Sequence, residues 1–397
     1  MTTDTCFSPY RTDALGRLAK FLPYAGAQYA RKRNYDYGAG LHNSVSTLSP
    51  YIRHRILTEH EVLTSTLQRH SVSAAEKFIQ EVFWRTYWKG WLELRPEVWT
   101  QYQLGLRHQI DAIHTQSGLR ENWTRACSGD TGIDCFDAWA KELCATGYLH
   151  NHARMWFASI WIFTLQLPWE LGADFFMRHL LDGDPASNTL SWRWVGGVQT
   201  PGKTYLARPD NIATYTNGRF QRVSGLASTA APRHAQPPAQ PRNLPRLPDI
   251  DPTLKTGFLL HAEDLSPGFV LDQCPSLAAV AMIRADENLT PLHLSERVLA
   301  FKDQALLEAA NRYDLGELEH LETPAKIVDW ANKTDLEQIV TAYAPVGPIA
   351  RVQKHLRKSD AVRVVQVRRD YDSRAWPHAT HGFFRFKNKI PDLLNAL

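Results

Sequence analysis

The segments YLHNHARM (148–155) and DGDPASNTLSWRW (182–194) decide the fold of this chain. Asn151 and Arg154 are three positions apart, so they lie on one face of a helix and can contact one ligand together. Asp182, Asp184 and Asn188 add two carboxylates and an amide near the start of another helix. An arginine and a carboxylate can hold the polar edge of a heterocycle, and indoles give it apolar walls. The two segments therefore predict a ligand pocket built from helices.

The chain on both sides of these segments is patterned for helices. Apolar and aromatic residues recur every three or four positions, which is typical of an amphipathic helix. Helices are predicted for residues 74–94, 134–146, 151–167 and 168–181. Pro96 ends the first, and Gly147 is a suitable C-terminal cap for the second. Residues 1–225 are therefore expected to form an all-α domain.

The pattern of apolar residues changes after a proline-rich linker at residues 226–250. Its prolines exclude a continuous helix or a central strand, and they are Pro232, Pro237, Pro238, Pro241, Pro245 and Pro248. Beyond it, short apolar runs suit buried parallel strands at residues 258–261, 278–284, 338–341 and 362–367. Helical segments at 294–313 and 347–356 alternate with them. Residues 251–397 are expected to form a small α/β domain.

Composition and charge exclude some kinds of site but do not identify the function. The net charge of +4 neither requires nor excludes a nucleic-acid partner. The basic clusters at residues 31–33 and 53–55 could hold phosphates or a protein partner. Five cysteines form no CxxC pair, so we expect no zinc or iron–sulfur site, and a cytoplasmic location fits. The most apolar stretch, 155–167, is too short to span a membrane.

Further motifs occur in a fixed order along the first 220 residues. Tyr29 and Arg33 form a Y-xxx-R element, and STLSPY (46–51), EVFWR (81–85) and TGIDCFDA (131–138) follow before the two segments quoted above. Together they resemble the FAD-binding domain of the photolyase/cryptochrome family. The resemblance implies a helical fold, FAD as the cofactor and electron transfer driven by blue light.

The resemblance also implies roles for individual residues. Those expected around the FAD phosphates and ribityl chain are Tyr29, Ser46, Leu48, Ser49 and Arg85. Those expected at the isoalloxazine edge are Asn151, Arg154, Asp182 and Asp184, with Arg154 paired to Asp182. Asn188 would face flavin N5, where a neutral amide favours the fully reduced anionic flavin. Val45 departs from the family's threonine and removes one hydroxyl from the phosphate segment.

A second implied set concerns repair of cyclobutane pyrimidine dimers. The family's dimer site matches here at Glu81, Trp84, Asn151, Met155 and Trp194. Trp192 and Trp169 match the inner members of its electron-transfer chain. The outer tryptophan has no aligned counterpart, and the alternatives for its place are Trp161, Trp139, Trp156 and Trp123, each of which could instead belong to the core. The implied partner is UV-damaged DNA, single- or double-stranded. The alternative is a cryptochrome-like photoreceptor without repair activity, which would act on a protein partner.

The order of the domains departs from the family. Its members usually begin with an α/β antenna domain, whereas here the α/β segment follows the helical one. Residues 335–372 faintly resemble the late half of an antenna domain. We therefore expect a permuted, antenna-like domain that docks where the usual one would, although no chromophore-binding motif is present in it.

Overall fold

The computed structural model describes residues 7–233, 237–286, 289–359 and 361–397. Residues 234–236 of the predicted linker lie outside the described residues. The first half is helical, and its helices are α1 Arg11–Phe21, α2 Ala27–Lys32, α3 Ser49–Arg53, α4 Glu59–Leu67, α5 Glu76–Glu93, α6 Glu97–Thr115, α7 Ser117–Ser128, α8 Asp134–Thr146, α9 Asn151–Ser159, α10 Trp169–His179, α11 Pro185–Val195 and α12 Pro209–Tyr215. Between α12 and β1, which begins at Thr256, the described residues form no helix or strand.

Local signals account for the helices around the two deciding segments. Helix α8 ends at Gly147, whose φ of 70° is the left-handed cap that glycine adopts without strain. His150 begins α9, because its ring accepts a hydrogen bond from the His152 backbone N–H. Helix α9 continues into a π-type turn at Ile160–Thr164. The Asp184 carboxylate caps α11 by accepting from the Ser187 N–H.

The second half is a five-stranded parallel sheet flanked by helices. Its elements are β1 Thr256–His261, α13 Gly268–Leu271, β2 Ala279–Ile283, α14 Glu296–Arg312, β3 Glu319–Leu321, α15 Pro324–Lys333, β4 Gln338–Ala342, α16 Pro348–Ser359, β5 Arg363–Val367, α17 Asp370–Ala375, α18 Phe383–Lys387 and α19 Ile390–Leu394. The strand order is β3-β2-β1-β4-β5. Phe258 of the central strand lies opposite Val280 on one side and Val340 on the other. The predicted fold class, a helical domain followed by a small α/β domain, is confirmed.

The chain ends against the helical half. After β5, helix α17 and the turn Trp376–His378 pack on α5, followed by α18. Gly90 of α5 makes this approach possible, because a Cβ there would lie 2.9 Å from the Trp376 Cα. Tyr371 donates or accepts a hydrogen bond with Thr86 of α5 at 2.8 Å. The end of the chain therefore becomes a second layer over α5, which also carries predicted site residues.

Buried ion pairs join the two halves where the strands end. Arg53 makes two hydrogen bonds of 2.7 Å to Glu263, which follows β1. Arg55 makes two of 2.7 Å to Asp372, which follows β5. Glu93 of α5 accepts from the Val346 N–H, after β4. The carboxyl ends of β1, β4 and β5 therefore face the helical half.

The structure corrects one expectation about the basic clusters. Arg53, His54 and Arg55 are 3%, 1% and 3% exposed, so they contact the α/β half and are not available to a DNA backbone or a partner protein. Their positive charge had suggested a surface site for an external partner. In the structure, the guanidinium groups of Arg53 and Arg55 each pair with a carboxylate from a distant part of the chain. Within the described residues, the helices are all too short or too polar to cross a membrane.

Candidate cofactor and substrate site

Arg154, which is half-buried, and the buried Asp182 form the pair that the sequence predicted. Arg154 Nη2 lies 2.9 Å from Asp182 Oδ2, and its Nε donates to the Leu149 carbonyl at 2.8 Å. Burial opposes ionisation of Asp182, but Arg154 outweighs it and holds the pKa of this carboxyl below its usual value. Asp182 Oδ1 is buried and has no hydrogen-bond partner among the described residues. The pair is thus fixed while one acceptor remains for a ligand.

Asp184 is held by several cations at once. Its Oδ2 lies 3.1 Å from Lys89 Nζ, 3.6 Å from Arg53 Nε and 4.0 Å from Arg85 Nη1. Burial opposes its charge, yet these cations, Lys89 first, hold its pKa far below the usual value. Arg85 Nη1 is buried without a hydrogen-bond partner in the described part of the chain. Arg85 and Asp184, predicted for different parts of the cofactor, therefore lie close together.

The sequence analysis missed two of the residues around Asp184. Lys89 follows Arg85 by four positions, which places both cations on one face of α5, and that spacing could have identified it. Glu263, 3.9 Å from Lys89, gave no such signal because its partner Arg53 is 210 residues away in sequence. We call two neighbouring sets of buried ion pairs the buried network: the first comprises Arg53, Lys89, Asp184 and Glu263, and the second comprises Arg55, Asp264 and Asp372.

The predicted phosphate segment borders a cavity of about 770 Å³. Ser46 and Thr47 line it, together with Arg17 and Lys20 of α1. Leu48 is fully buried, and its N–H contacts the Ser46 hydroxyl at 3.4 Å. Tyr29, 7% exposed, packs edge-on against Phe21 and Phe78. Ser49 begins α3.

A polar cluster that sequence reasoning also missed holds the loop before Ser46. Asp36 accepts from Gly38 N and Trp139 Nε1, each at 3.0 Å. His42 Nε2 lies 3.0 Å from a Glu142 oxygen. Asp36, His42 and Glu142 bring one potential metal-ligand atom each within 4.8 Å of one another. The visible role of the cluster is to tie the loop to α8, which fixes the approach to Ser46.

Asn188 and Trp192 lie on the buried face of α11. The Asn188 side-chain amide donates to the Ala173 carbonyl at 2.8 Å, so its orientation is fixed by helix α10. Trp192 is 2% exposed and its Nε1 has no hydrogen-bond partner among the described residues. Gly172 permits this packing, since a Cβ there would lie 2.3 Å from Trp192 Cη2.

The two predicted electron-transfer tryptophans are not in ring contact among the described residues. Trp192 packs edge-on against Trp161, with 6.2 Å between ring centroids. Trp169 lies on α10 one turn before Gly172 and contacts Tyr102 at 5.6 Å. Trp169 and Trp192 were predicted as the inner members of the chain, and the indole that contacts Trp192 is Trp161, one of the alternatives for the outer place.

The five predicted dimer-site residues share one property, their exposure. On α5, Glu81 and Trp84 are half-buried, whereas Val82 and Phe83 between them are buried. On α9 and α11, the accessible side chains include Asn151, Met155 and Trp194. Helix α11 packs against both α5 and α9. We call this set the open face, comprising Glu81, Trp84, Asn151, Met155 and Trp194.

Two residues of the open face already have partners. Glu81 forms an ion pair with Arg33, and burial raises the pKa of Glu81 although Arg33 opposes the shift. Trp84 is stacked on Phe383, with ring centroids 3.7 Å apart and an interplanar angle of 11°. Phe383 is the only ring stacked parallel on Trp84 in the part of the chain that the structure describes. Trp194 lies 5.8 Å from Tyr205.

The residues present fit FAD. The cavity beside Ser46 and Thr47 has cations on its wall for a diphosphate. Asp182 Oδ1 and Arg85 Nη1 are buried without hydrogen-bond partners among the described residues, so they offer an acceptor and a donor to a ligand. Residues that would hold FAD are therefore present both at its predicted phosphate end, near Ser46, and at its predicted isoalloxazine end, near Asn188.

Comparisons with known proteins agree with this fit. The family model described as the FAD binding domain of DNA photolyase matches residues 78–219. Among curated proteins, a deoxyribodipyrimidine photo-lyase of Thermus thermophilus is 32% identical over 204 residues, which are 50% of this chain and 45% of that protein. One from Alkalihalophilus pseudofirmus is 30% identical over 194 residues, 49% of this chain and 39% of that protein. The match thus spans less than half the length of these relatives.

Solved structures add a weaker likeness. A bacterial class III photolyase from Agrobacterium tumefaciens is 26% identical and covers 52% of this chain and 43% of its own, with a TM-score of 0.43. The cofactor assignment rests instead on the family model and on the Arg154, Asp182 and Asp184 geometry. Residues 78–219 of the helical half are thus matched to the FAD-binding domain of the photolyase/cryptochrome family, with FAD as the cofactor.

Proposed function

We propose that the chain repairs cyclobutane pyrimidine dimers in DNA by light-driven electron transfer. The observation that carries the proposal is a pairing of roles on each of three helices. Arg85 lies next to Trp84 on α5, Arg154 next to Met155 on α9, and Trp192 two positions before Trp194 on α11. In every case one residue belongs to the cofactor or electron-transfer set and the other to the open face. A substrate on the open face would therefore lie close to the cofactor.

The side chains of the open face suit a damaged base pair taken out of the duplex. Trp84 and Trp194 offer indole surfaces for bases, and Met155 fills apolar gaps. Flipping out a dimer costs less than flipping an intact pair, because the lesion is already weakly paired. Reduced FAD, when bound and excited by light, supplies the electron for splitting. Glu81, whose pKa is raised by burial, can share a proton with a pyrimidine edge as negative charge develops there.

The test uses the purified protein with its flavin. Dimer-containing DNA is illuminated in the presence of the wild type, and loss of dimers is followed by absorbance recovery. Glu81→Gln is expected to slow repair at least about tenfold, as loss of one positioned acid–base group does, while the flavin spectrum stays unchanged. Glu97→Gln is a matched control, because Glu97 also pairs with an arginine, Arg242, on the neighbouring helix α6.

The outcomes separate the two candidate activities. Repair by the wild type that is lost in Glu81→Gln and kept in Glu97→Gln supports dimer repair. Flavin photoreduction without loss of dimers would contradict it and favour a photoreceptor. Repair unchanged in Glu81→Gln would remove Glu81 from the proposed mechanism.

A further inference from the structure

The C-terminal segment GFFRFKNK (382–389) presents one aromatic ring to solvent between two that are buried. Phe383 and Phe386 are 4% and 1% exposed and lie on the inner face of α18. Phe384 is 81% exposed, the highest value for a large hydrophobic side chain among the described residues. Two of the three rings therefore anchor the segment, and the third makes no contribution to the core.

The segment is fixed beside the open face. Phe383 is stacked on Trp84, and Lys387 Nζ lies 2.9 Å from a Glu76 oxygen at the start of α5. Phe384 follows Phe383 directly, and the centroids of their rings are 6.4 Å apart. The position of Phe384 is thus set by contacts to the same helix that carries Glu81 and Trp84.

The charge of this surface is positive. Between Asp372 and Asp392 the sequence contains no carboxylate, and it contains Arg374, Arg385, Lys387 and Lys389. Lys389 has Asp392 at 3.5 Å, whereas Arg385 is exposed and has no ion-pair partner among the described residues. Lys77, exposed on α5, adds a cation one turn before Glu81. An exposed aromatic ring among cations matches a polyanion that also offers flat apolar surfaces.

We propose that the segment 382–389 is a contact for double-stranded DNA, with Phe384 entering the base stack and Arg385 contacting a phosphate. The proposal rests on the proposed function, since a dimer drawn toward Trp84 leaves a gap in the duplex. Apolar side chains inserted at a disrupted step stabilise an opened duplex. Arginines on the backbone fix register and orientation. The partner of this segment is duplex DNA rather than a protein, because Phe384 and the neighbouring cations are on the segment that packs against Trp84 of the open face, where the dimer would bind.

The test measures DNA binding in the dark by fluorescence anisotropy. The probes are one dimer-containing oligonucleotide as a duplex and as a single strand. Phe384→Ala is expected to weaken duplex binding by about tenfold, the scale of one lost base–aromatic stack. The single strand should be affected much less, because it has no opposing stack to fill. Leu104→Ala is the matched control, an aliphatic side chain 59% exposed on α6.

A second variant tests the charge. Arg385→Ala should weaken binding to duplex and single strand alike and reduce the slope of log affinity against log salt by about one unit. Unchanged melting and flavin absorbance establish that both variants are folded. If the wild type binds and repairs the duplex but Phe384→Ala behaves like Leu104→Ala, this inference alone is overturned. A wild type without affinity for dimer-containing DNA would overturn both this inference and the proposed function. The same holds if the wild type binds a protein instead of that DNA.

Discussion

The buried network and the open face meet at helix α5 and at the start of α11, but they are organised in opposite ways. Among the described residues, every charge of the buried network except Asp372 has two or more ion-pair partners, as with Asp184 among Lys89, Arg53 and Arg85. On the open face, within the same described part of the chain, Glu81 has a single ion-pair partner, Arg33, and Trp84 is held by ring contacts to Phe383, Tyr87 and Trp88. The cofactor side is therefore arranged before any ligand arrives, whereas the substrate side keeps surface available.

This difference in pairing determines how strongly a substitution in each region changes the free energy of unfolding. Charges taken out of water must be paired, and removal of one partner leaves an uncompensated charge. Half-exposed groups keep contact with water, so their pairs contribute little to stability. We therefore expect substitutions in the buried network to act mainly on folding, and substitutions on the open face to act mainly on activity.

The largest expected effect comes from breaking the buried network at Arg55. Its guanidinium is bonded to both oxygens of Asp372 and lies 3.3 Å from both Asp264 and Glu59. Arg55→Met would leave three buried carboxylates without this cation, at a cost of about 3–5 kcal/mol in the free energy of unfolding. Urea denaturation followed by circular dichroism measures the loss.

The matched control is an ion pair of the same kind at the surface. Arg208 and Asp210 are 64% and 71% exposed, with 3.2 Å between their charged atoms. Arg208→Met should change the free energy of unfolding by less than about 0.5 kcal/mol. Equal effects of the two substitutions would contradict the distinction between buried and open charges.

A smaller effect is expected from pH at Glu263. Burial opposes its ionisation, but Arg53 lowers the pKa of Glu263 from its ordinary value of 4.5 to about 2. Because the folded pKa lies below the unfolded one, the stabilisation is present above pH 4.5 and is lost as the pH falls toward 2. The group contributes about 3 kcal/mol over that window.

The measurement compares urea midpoints of the wild type and Glu263→Gln at pH 7 and pH 3. The wild type should lose more stability than the variant over this interval, since the variant has no proton to take up at this position. Glu322→Gln, on an exposed pair with Lys326, should follow the wild type. Parallel loss in wild type and Glu263→Gln would show that Glu263 is not ionised in the network.

The sequence predicted those parts of the fold that local signals determine. Residues 134–146 were predicted as a helix and form α8 with the same bounds, because the pattern and Gly147 coincide. Strand β3, Glu319–Leu321, was missed, since it has three residues and two of them are exposed. The π-type turn after α9 was absorbed into the predicted helix, because its apolar residues continue the pattern.

The site shows the same division. The Arg154–Asp182 pair followed from short motifs, one on α9 and the other in the turn between α10 and α11. Partners that are distant in sequence could not be predicted from local motifs. One of them is Phe383, which stacks on Trp84 and belongs to a segment that only the tertiary fold brings to α5. The basic run 53–55 was predicted to meet external partners, whereas it meets carboxylates supplied by the α/β half. Net charge along the chain does not report such pairing.

The smallest effect on stability is expected on the open face, at Glu81. The carboxylate and Arg33 are 30% and 28% exposed in their side chains, so water screens the pair. Glu81→Gln should therefore change the free energy of unfolding by less than about 1 kcal/mol. Urea denaturation of the variant beside Arg55→Met measures both ends of the scale. A loss at Glu81 as large as that at Arg55 would mean that the open face is part of the folded core, and an unchanged fold with impaired repair would place Glu81 on the substrate.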